Sequence, residues 1–449
     1  MLIDMNRWKT RGQVSAPIED DTIFALATAP GRAGIAVIRI SGTRSNEVLM
    51  ALAGPLPPPR FMSLRTLRSV TEDGAKIDRA LVVRFVESAS YTGEDMVELH
   101  VHGGRATVAR VLDELSGLAG LRMAKPGEFT RRALYNGVLD ITQVEGLADL
   151  VDAETEMQRR QALSLTEGVF SRLVGEWRDT LISALAHLEA AIEFGEEVDT
   201  PDDALAHARP ALSSVIAGIE TVLKSSTESV RLRDGFVVAL IGPPNVGKSS
   251  LINVLSNDEA AIVSPIAGTT RDVLRVPMDL EGLPVTFLDM AGIREAKDEI
   301  ERIGVSRARA AADAADIRVF MSSRDAGDAA GLMERRSGDI SVWSKSDLGA
   351  GPGDISLSTV DLSGVDDLKA RVVERLSTMI EKPGLVAHKR QVDSLRRAQA
   401  ELDAARSAGL DEICVEYTRS AIRTLTGLVE AVDADDVLDD VFSRFCIGK

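Results

Sequence analysis

Apolar and polar positions follow two different rhythms along the chain. From Asp21 to about Arg84, short β-like runs such as IAVIRISG and ALVVRFV are separated by Gly and Pro turns, which predicts an α+β domain. From about Leu139 to Val230 apolar residues recur at helical spacing (Val144, Leu147, Leu150, Val151), with no proline until Pro201. Residues 386–449 are again helical and amphipathic. Between these helical stretches, 235–384 alternates strand-like and helix-like runs: FVVALIG, KSSLINVL, LPVTFLDM, IERIGVSRARAAADAA. Such alternation predicts a mainly parallel sheet with helices on its faces. The simplest architecture is an α/β domain inserted into a helical one. We expect an extension over 1–20, an α+β domain over 21–138, a first helical part over 139–230, the α/β insert over 231–384 and a second helical part over 385–449. SRDAGDAAG (323–331) reads as a surface loop, and no internal repeat is evident.

Composition narrows the class. The chain has 449 residues, enough for roughly three domains. Its 27% of charged residues and plentiful aliphatic residues describe a globular protein. No apolar run approaches the ~20 residues needed to cross a bilayer, and the opening MLIDMNRWKTRGQ lacks the apolar core of a secretory signal. Two cysteines, Cys414 and Cys446, exclude a disulfide framework and point to a reducing, cytoplasmic compartment. The net charge of −17 argues against coating nucleic acid by bulk charge. That excess is local, because 141–230 carries 17 acidic against 6 basic side chains while 1–140 carries 16 against 18.

Candidate chemistry centres on Gly242-Pro-Pro-Asn-Val-Gly247-Lys248-Ser249, a full G-x-x-x-x-G-K-[ST] match between an apolar strand and a helix. Glycines let the backbone N–H groups face phosphate oxygens, Lys248 reaches the β- and γ-phosphates, and the Ser249 hydroxyl binds Mg²⁺. Further parts follow in order. Gly268-Thr-Thr270-Arg-Asp supplies a switch threonine to the magnesium, and Asp289-Met-Ala-Gly292 ends a strand as a Walker B aspartate does. Ser344-Lys-Ser-Asp347 resembles the guanine-reading Asn-Lys-x-Asp of GTPases, whose aspartate accepts two hydrogen bonds from the guanine edge, a pairing adenine cannot offer. Ser344 stands in the Asn position, so one contact to the base and the P-loop is weakened or lost. Ser358-Thr359 resembles the last base-contacting loop.

The nucleotide site is therefore expected to comprise Asn245, Val246, Gly247, Lys248, Ser249 and Ser250, then Ser264, Pro265, Ile266, Ala267, Gly268, Thr269 and Thr270. Asp289, Met290, Ala291 and Gly292 follow, with Ser344, Lys345, Ser346, Asp347, Ser358, Thr359 and Val360 around the base. Ras-type GTPases orient the attacking water with a Gln after Asp-x-x-Gly. Here that residue is Ile293, which cannot hold water, so charge compensation and water positioning must come from elsewhere.

From Asp21 to Lys449 the chain resembles one family, the tRNA-modification GTPases of the MnmE (TrmE) type. The resemblance is carried by DTIFALATAPGRAGIAVIRISG, SYTGEDMVELHVHGG (90–104) and KPGEFTRRALYNGVLDITQVEGLADL (125–150). PPNVGKSSLIN, AIVSPIAGTTRD, DMAGIREAKDEIERIG and the closing FCIGK complete it. It implies an N-terminal folate-binding and dimerisation domain, and a Ras-like G domain set into the helical one. In such proteins potassium-dependent G-domain dimerisation replaces the missing Gln. The potassium ligands correspond to Asn245 and backbone oxygens of Ser264, Ile266 and Thr269, and the glutamate that positions water indirectly corresponds to Glu301. Each has a plain alternative: Asn245 as a cap of its loop, and Glu301 as an ordinary glutamate on a solvated helix face.

The resemblance also implies that the N-terminal domain binds a formyl- or methylene-tetrahydrofolate through residues matching Arg39 and Glu98. Val138 stands where a lysine is usual, which removes a cationic contact, and Lys449 would reach the folate site of a partner subunit. The implied partners are a second copy, a flavoprotein of the MnmG (GidA) family in a heterotetramer, and tRNA, with no membrane. The implied reaction places an aminomethyl or carboxymethylaminomethyl group on carbon five of the wobble uridine. A rival expectation is a ribosome-assembly or signalling GTPase without modification chemistry; its P-loop would look the same, but it needs neither the N-terminal domain nor FCIGK.

Other features are ambiguous from sequence. Cys446-Ile-Gly-Lys449 is a poor prenylation signal; Cys446 is either a catalytic nucleophile or a small side chain that docks residues 446–449. His100 and His102 share a strand face, but two histidines without a third ligand fall short of a metal site. AVDADDVLDDVF (431–442) lacks EF-hand spacing and reads as a solvated helix.

Overall fold

A computed structural model describes residues 21–193, 201–262, 275–290, 309–329, 331–379, 384–409, 412–430, 442, 445 and 448. The chain divides into two compact units. The first combines residues 1–148, 171–175 and 425–449, and the second combines 149–170 with 176–424.

The first unit runs β1 (Thr22–Leu26), β2 (Ile35–Ser41), α1 (Ser45–Ala53), β3 (Ser63–Arg68), β4 (Lys76–Phe85), β5 (Met96–His102), α2 (Arg105–Ser116), β6 (Leu121–Met123), α3 (Glu128–Tyr135) and α4 (Ile141–Asp152). Its six strands form one sheet in the order β3-β4-β5-β2-β1-β6, antiparallel except where β1 meets β6. Period-two alternation sorts the two faces. Ala36, Ile38 and Ile40 of β2 and Val97, Leu99 and Val101 of β5 form a core with Val48, Leu49 and Leu52 of α1 and Val111 and Leu115 of α2. Arg39 and Glu98 fall on the opposite face, directly paired across β2 and β5. Phe129 of α3 packs there with Ile23, Ala25 and Ala124, and Tyr91 lies against this cluster.

Sequence-distant residues close this unit. Phe442 and Phe445 join Leu134, Ile141, Val144 and Ala148 in one apolar cluster. Gly127 makes room for them: its φ is +69°, and a Cβ there would lie 2.9 Å from the Phe442 ring. Phe442 belongs to the expected acidic helix, whose other residues (431–441) lie outside the described ones.

The second unit contains α5 (Glu156–Thr166), α6 (Val169–Glu193), α7 (Pro201–Lys224), α8 (Ser226–Asp234), β7 (Phe236–Ile241), α9 (Lys248–Ser256), β8 (Arg275–Leu280), β9 (Leu283–Asp289), β10 (Ile317–Ser322), β11 (Ile340–Ser344), β12 (Ile355–Leu357), α10 (Val365–Ser377), α11 (Lys389–Ser407) and α12 (Glu412–Val429). Its sheet has the order β12-β11-β10-β7-β9-β8 and is parallel except for β8. Strands buried on both faces read as unbroken apolar runs, and β10 (IRVFMS) is buried at all six positions. One face packs Leu251, Ile252 and Leu255 of α9 and Leu368, Val372 and Leu376 of α10. The fold is thus the expected mixture of an N-terminal α+β sheet, long helices and a mainly parallel P-loop sheet.

One carboxylate holds both chain crossings between helices and the parallel sheet. Asp149, in the last turn of α4 and already part of the second unit, accepts from Arg233 Nε at 2.8 Å, just before β7, and lies 2.8 Å from His388 Nε2, just before α11. Burial pushes the Asp149 carboxyl up, but the hydrogen bonds and charges of His388 and Arg233 outweigh it and hold it below the usual value. Beside this cluster α5 meets the sheet: Gln158 and Gln161 donate to the carbonyls of Arg233 and Ser229, and Met157 packs against the sheet core.

Candidate functional site

Parallel strands place their carboxyl ends along one edge, where α/β sheets bind ligands. The register sets Leu240 beside Asp289, Ile241 beside Phe320, Ser322 beside Trp343 and Ser344 beside Leu357. That edge therefore carries, in adjacent positions, the P-loop, the Asp289 carboxylate, Ser322, the 344–347 loop and Ser358.

The P-loop is shaped by three residues. A Cβ on Gly242 would sit 2.6 Å from Met321 O and 2.9 Å from Val246 Cγ1, so only glycine lets the loop leave β7 against β10. Asn245 and Gly247 take left-handed φ values of 61° and 106°, a conformation that Gly adopts freely and Asn tolerates better than most residues. Lys248 folds over the loop and donates to the carbonyls of Gly242 at 2.8 Å and Pro243 at 3.1 Å. Burial lowers its pKa, opposed by the negative charge of Asp289. Ser249 Oγ donates to Asp289 Oδ2 at 2.6 Å. The other oxygen, Asp289 Oδ1, is buried with no hydrogen-bond partner. A carboxylate oxygen left bare in the interior is costly. A hard divalent cation, or water held by one, seeks such an oxygen, and the Ser249 hydroxyl supplies a second. These residues fit magnesium.

The base side is tied to the P-loop. Ser344 Oγ, 2% exposed, donates to Val246 O at 2.5 Å, with Ser322 O 3.2 Å away. The expected loss at Ser344 is thereby corrected for the P-loop: a hydroxyl one atom shorter than an amide still reaches the loop carbonyl, because β10 and β11 bring Ser322, Ser344 and Val246 together. Asp347 is exposed and accepts from buried Ser358 at 2.8 Å, which fixes the carboxylate orientation. Lys345, at φ 55°, pairs with Asp325 at 2.6 Å and draws that carboxyl down to about 2. Met290 is buried at the end of β9, and Val360 is 81% exposed. Ser264, Pro265, Ile266, Ala267, Gly268, Thr269, Thr270, Ala291, Gly292, Ile293 and Glu301 lie outside the described residues, as do Cys446 and Lys449.

In the first unit Arg39 donates through Nε and Nη2 to Glu98 Oε1 at 3.1 and 2.9 Å, and through Nη1 to Gly448 O at 3.4 Å. His100 Nε2 lies 3.3 Å from the other Glu98 oxygen. The Arg39 guanidinium stands 5.1 Å from the centre of the Tyr91 ring and 5.7 Å from that of Phe129. Planar cation, paired carboxylate and aromatic faces suit a flat, polar heterocycle. Val138 is 41% exposed beside Gly93. His102 pairs with Asp78 at 2.8 Å, and no cluster of metal-ligating side chains occurs among the described residues.

Sequence reasoning did not single out Ser322, Asp325, Tyr91, Phe129 or Asp149. Tyr91, Phe129 and Asp149 lie inside the blocks 90–104 and 125–150 that carry the family resemblance, but only the fold shows what they face.

Two family models cover the chain. One described as "GTP-binding protein TrmE N-terminus" matches residues 22–138, and one described as "MnmE helical domain" matches 141–446. The protein named tRNA modification GTPase MnmE of Roseobacter denitrificans is 46% identical over 434 residues, covering 96% of this chain and 100% of its own. The protein of that name from Caulobacter vibrioides is 45% identical over 449 residues, with the same coverage. Among solved structures, the G domain of the T. maritima FeoB iron transporter aligns with 31% of this chain and 98% of its own, at 21% identity and a TM-score of 0.25. No helix among the described residues is long and apolar enough to cross a membrane.

Proposed function

The chain belongs to the family of tRNA modification GTPases called MnmE, and on that premise we propose how its residues divide the work. It is a GTP hydrolase involved in tRNA modification. With a flavoprotein of the MnmG (GidA) family, in a heterotetramer built on a homodimer, it adds an aminomethyl or carboxymethylaminomethyl group to carbon five of the tRNA wobble uridine. The observation that carries the hydrolytic half is the bare Asp289 Oδ1 beside Ser249 and Lys248, on the edge that also presents Asp347.

GTP binding exchanges partners that the chain already supplies. Lys248 leaves the Gly242 and Pro243 carbonyls for β- and γ-phosphate oxygens, whose charge keeps the buried ammonium protonated. Ser249 turns its hydroxyl from Asp289; Ser249 and Thr270 would then hold magnesium, with the Asp289 carboxylate supporting the site. Bound there, magnesium neutralises phosphate charge. Asp347, oriented by Ser358, accepts from the guanine edge. Asn245 and the backbone oxygens of Ser264, Ile266 and Thr269 would hold potassium, which would supply the charge compensation of an arginine finger. Glu301 positions the attacking water, and hydrolysis releases two G domains held together by GTP.

In the N-terminal domain Arg39 and Glu98 bind a tetrahydrofolate derivative, which supplies the one-carbon unit. The Tyr91 and Phe129 faces beside Arg39 support that reading. Residues 1–140, slightly positive, and the partner would carry the tRNA contacts. The deciding experiment is nucleoside analysis of tRNA from cells lacking this chain. Loss of the carbon-five group from the wobble uridine is expected; unchanged nucleosides would leave the pure switch as the better reading.

A further inference from the structure

We infer that the base site recognises guanine chiefly through its N1–H and 2-amino donors and is blind to ring position seven, because Ser344 has no proton left for the base. This rests on the GTP reading above. Guanine presents donors on one edge and only acceptors, N7 and O6, on the other. Reading the second edge requires protein donors. An asparagine at position 344 would carry two N–H donors, one for the P-loop carbonyl and one for the ring. A serine carries one O–H.

In this chain that single hydrogen faces two carbonyls, Val246 O at 2.5 Å and Ser322 O at 3.2 Å, in a site where Ser344 is 2% exposed. Turning it toward a ligand acceptor would strip Val246 O of its partner and loosen the P-loop. The next donor along the chain, the Lys345 ammonium, is drawn to Asp325 at 2.6 Å. Asp347, whose carboxylate Ser358 orients, takes donors only. Discrimination between purines therefore falls on the Asp347 carboxylate, and Ser344 acts as a specificity-determining residue by omission. The class of ligand accepted widens to guanine nucleotides altered at position seven, such as 7-deazaguanine nucleotides.

The test compares GDP, 7-deaza-GDP and IDP by calorimetric titration of the full chain with magnesium. GDP and 7-deaza-GDP should bind within about twofold of each other, while IDP, lacking the 2-amino donor, should bind about tenfold more weakly. Ser344→Asn should favour GDP over 7-deaza-GDP by about fivefold. Ser344→Ala, which removes the P-loop tie but no base contact, should weaken both by the same factor. A native chain that prefers GDP over 7-deaza-GDP by about fivefold, or a Ser344→Asn chain that treats them alike, overturns the inference. Should Ser344→Asn fail to fold, the native ratio and Ser344→Ala decide. A chain that binds neither nucleotide overturns the GTP reading itself, a result distinct from unequal binding.

Discussion

Replacing Asp149 with alanine removes the one carboxylate that holds both crossings between the helices and the parallel sheet. Breaking a buried ion pair from one side costs about 3–5 kcal/mol, because the remaining charge is left uncompensated. Arg233 is 21% exposed and His388 14%, so some water reaches them and the lower end, about 3 kcal/mol, applies. At about 2–4 °C per kcal/mol for a large domain, the unfolding transition of the second unit should fall by about 6–12 °C. Asp149→Asn keeps the shape and one acceptor, so about half that loss is expected.

Scanning calorimetry at neutral pH measures both. The pH dependence gives an independent check. The folded Asp149 carboxyl lies below its unfolded value, so its contribution is complete above the ordinary range near about 3.9 and is lost as pH falls through the folded value. The native and Asp149→Ala curves should therefore converge as pH falls through the carboxylate range. A drop of less than about 2 °C, or curves that stay apart below the ordinary carboxylate range, would refute the idea of a carboxylate clamp.

Potassium should accelerate GTP hydrolysis well above sodium in steady-state assays, and Asn245→Ala should erase the difference; equal native rates in the two salts would remove potassium from the mechanism. Arg39→Ala should abolish tetrahydrofolate binding measured by equilibrium dialysis, and unaltered binding would place the folate elsewhere. Gly242→Ala puts a methyl group 2.6 Å from Met321 O, so the P-loop must shift at a cost of about 1–3 kcal/mol. Nucleotide affinity should fall by about tenfold in the same titration, with the second unit still folded.

Legibility from sequence followed the range of the interactions. Lys248, Ser249 and Asp289 could be placed because the P-loop is local and the strand before Asp289 is an unbroken apolar run. Arg39 and Glu98 needed a family resemblance, since an Arg on a strand is otherwise unremarkable; their direct pairing emerged only from the β2–β5 register. The Ser344 tie could not be read, and its P-loop half was misjudged. Whether a hydroxyl spans to Val246, 98 residues earlier, depends on how closely two strand ends approach. Asp149 was invisible for the same reason: its partners lie 84 and 239 residues away, and no periodicity records such a meeting. The parallel β6 edge of the first sheet was also missed, because three residues are too few to show a rhythm.

The contact between Arg39 and Gly448 carries a consequence for the order of synthesis. Gly448 is made 409 residues after Arg39, an interval of roughly 20–80 s at about 5–20 residues per second. Throughout that time the first sheet exists without the phenylalanines that fill the groove beside α3 and α4, and Arg39 faces solvent on the side Gly448 later covers. A ribosome that stalls anywhere between β7 and α11 therefore displays the first sheet with the apolar cluster beside α3 and α4 unfilled.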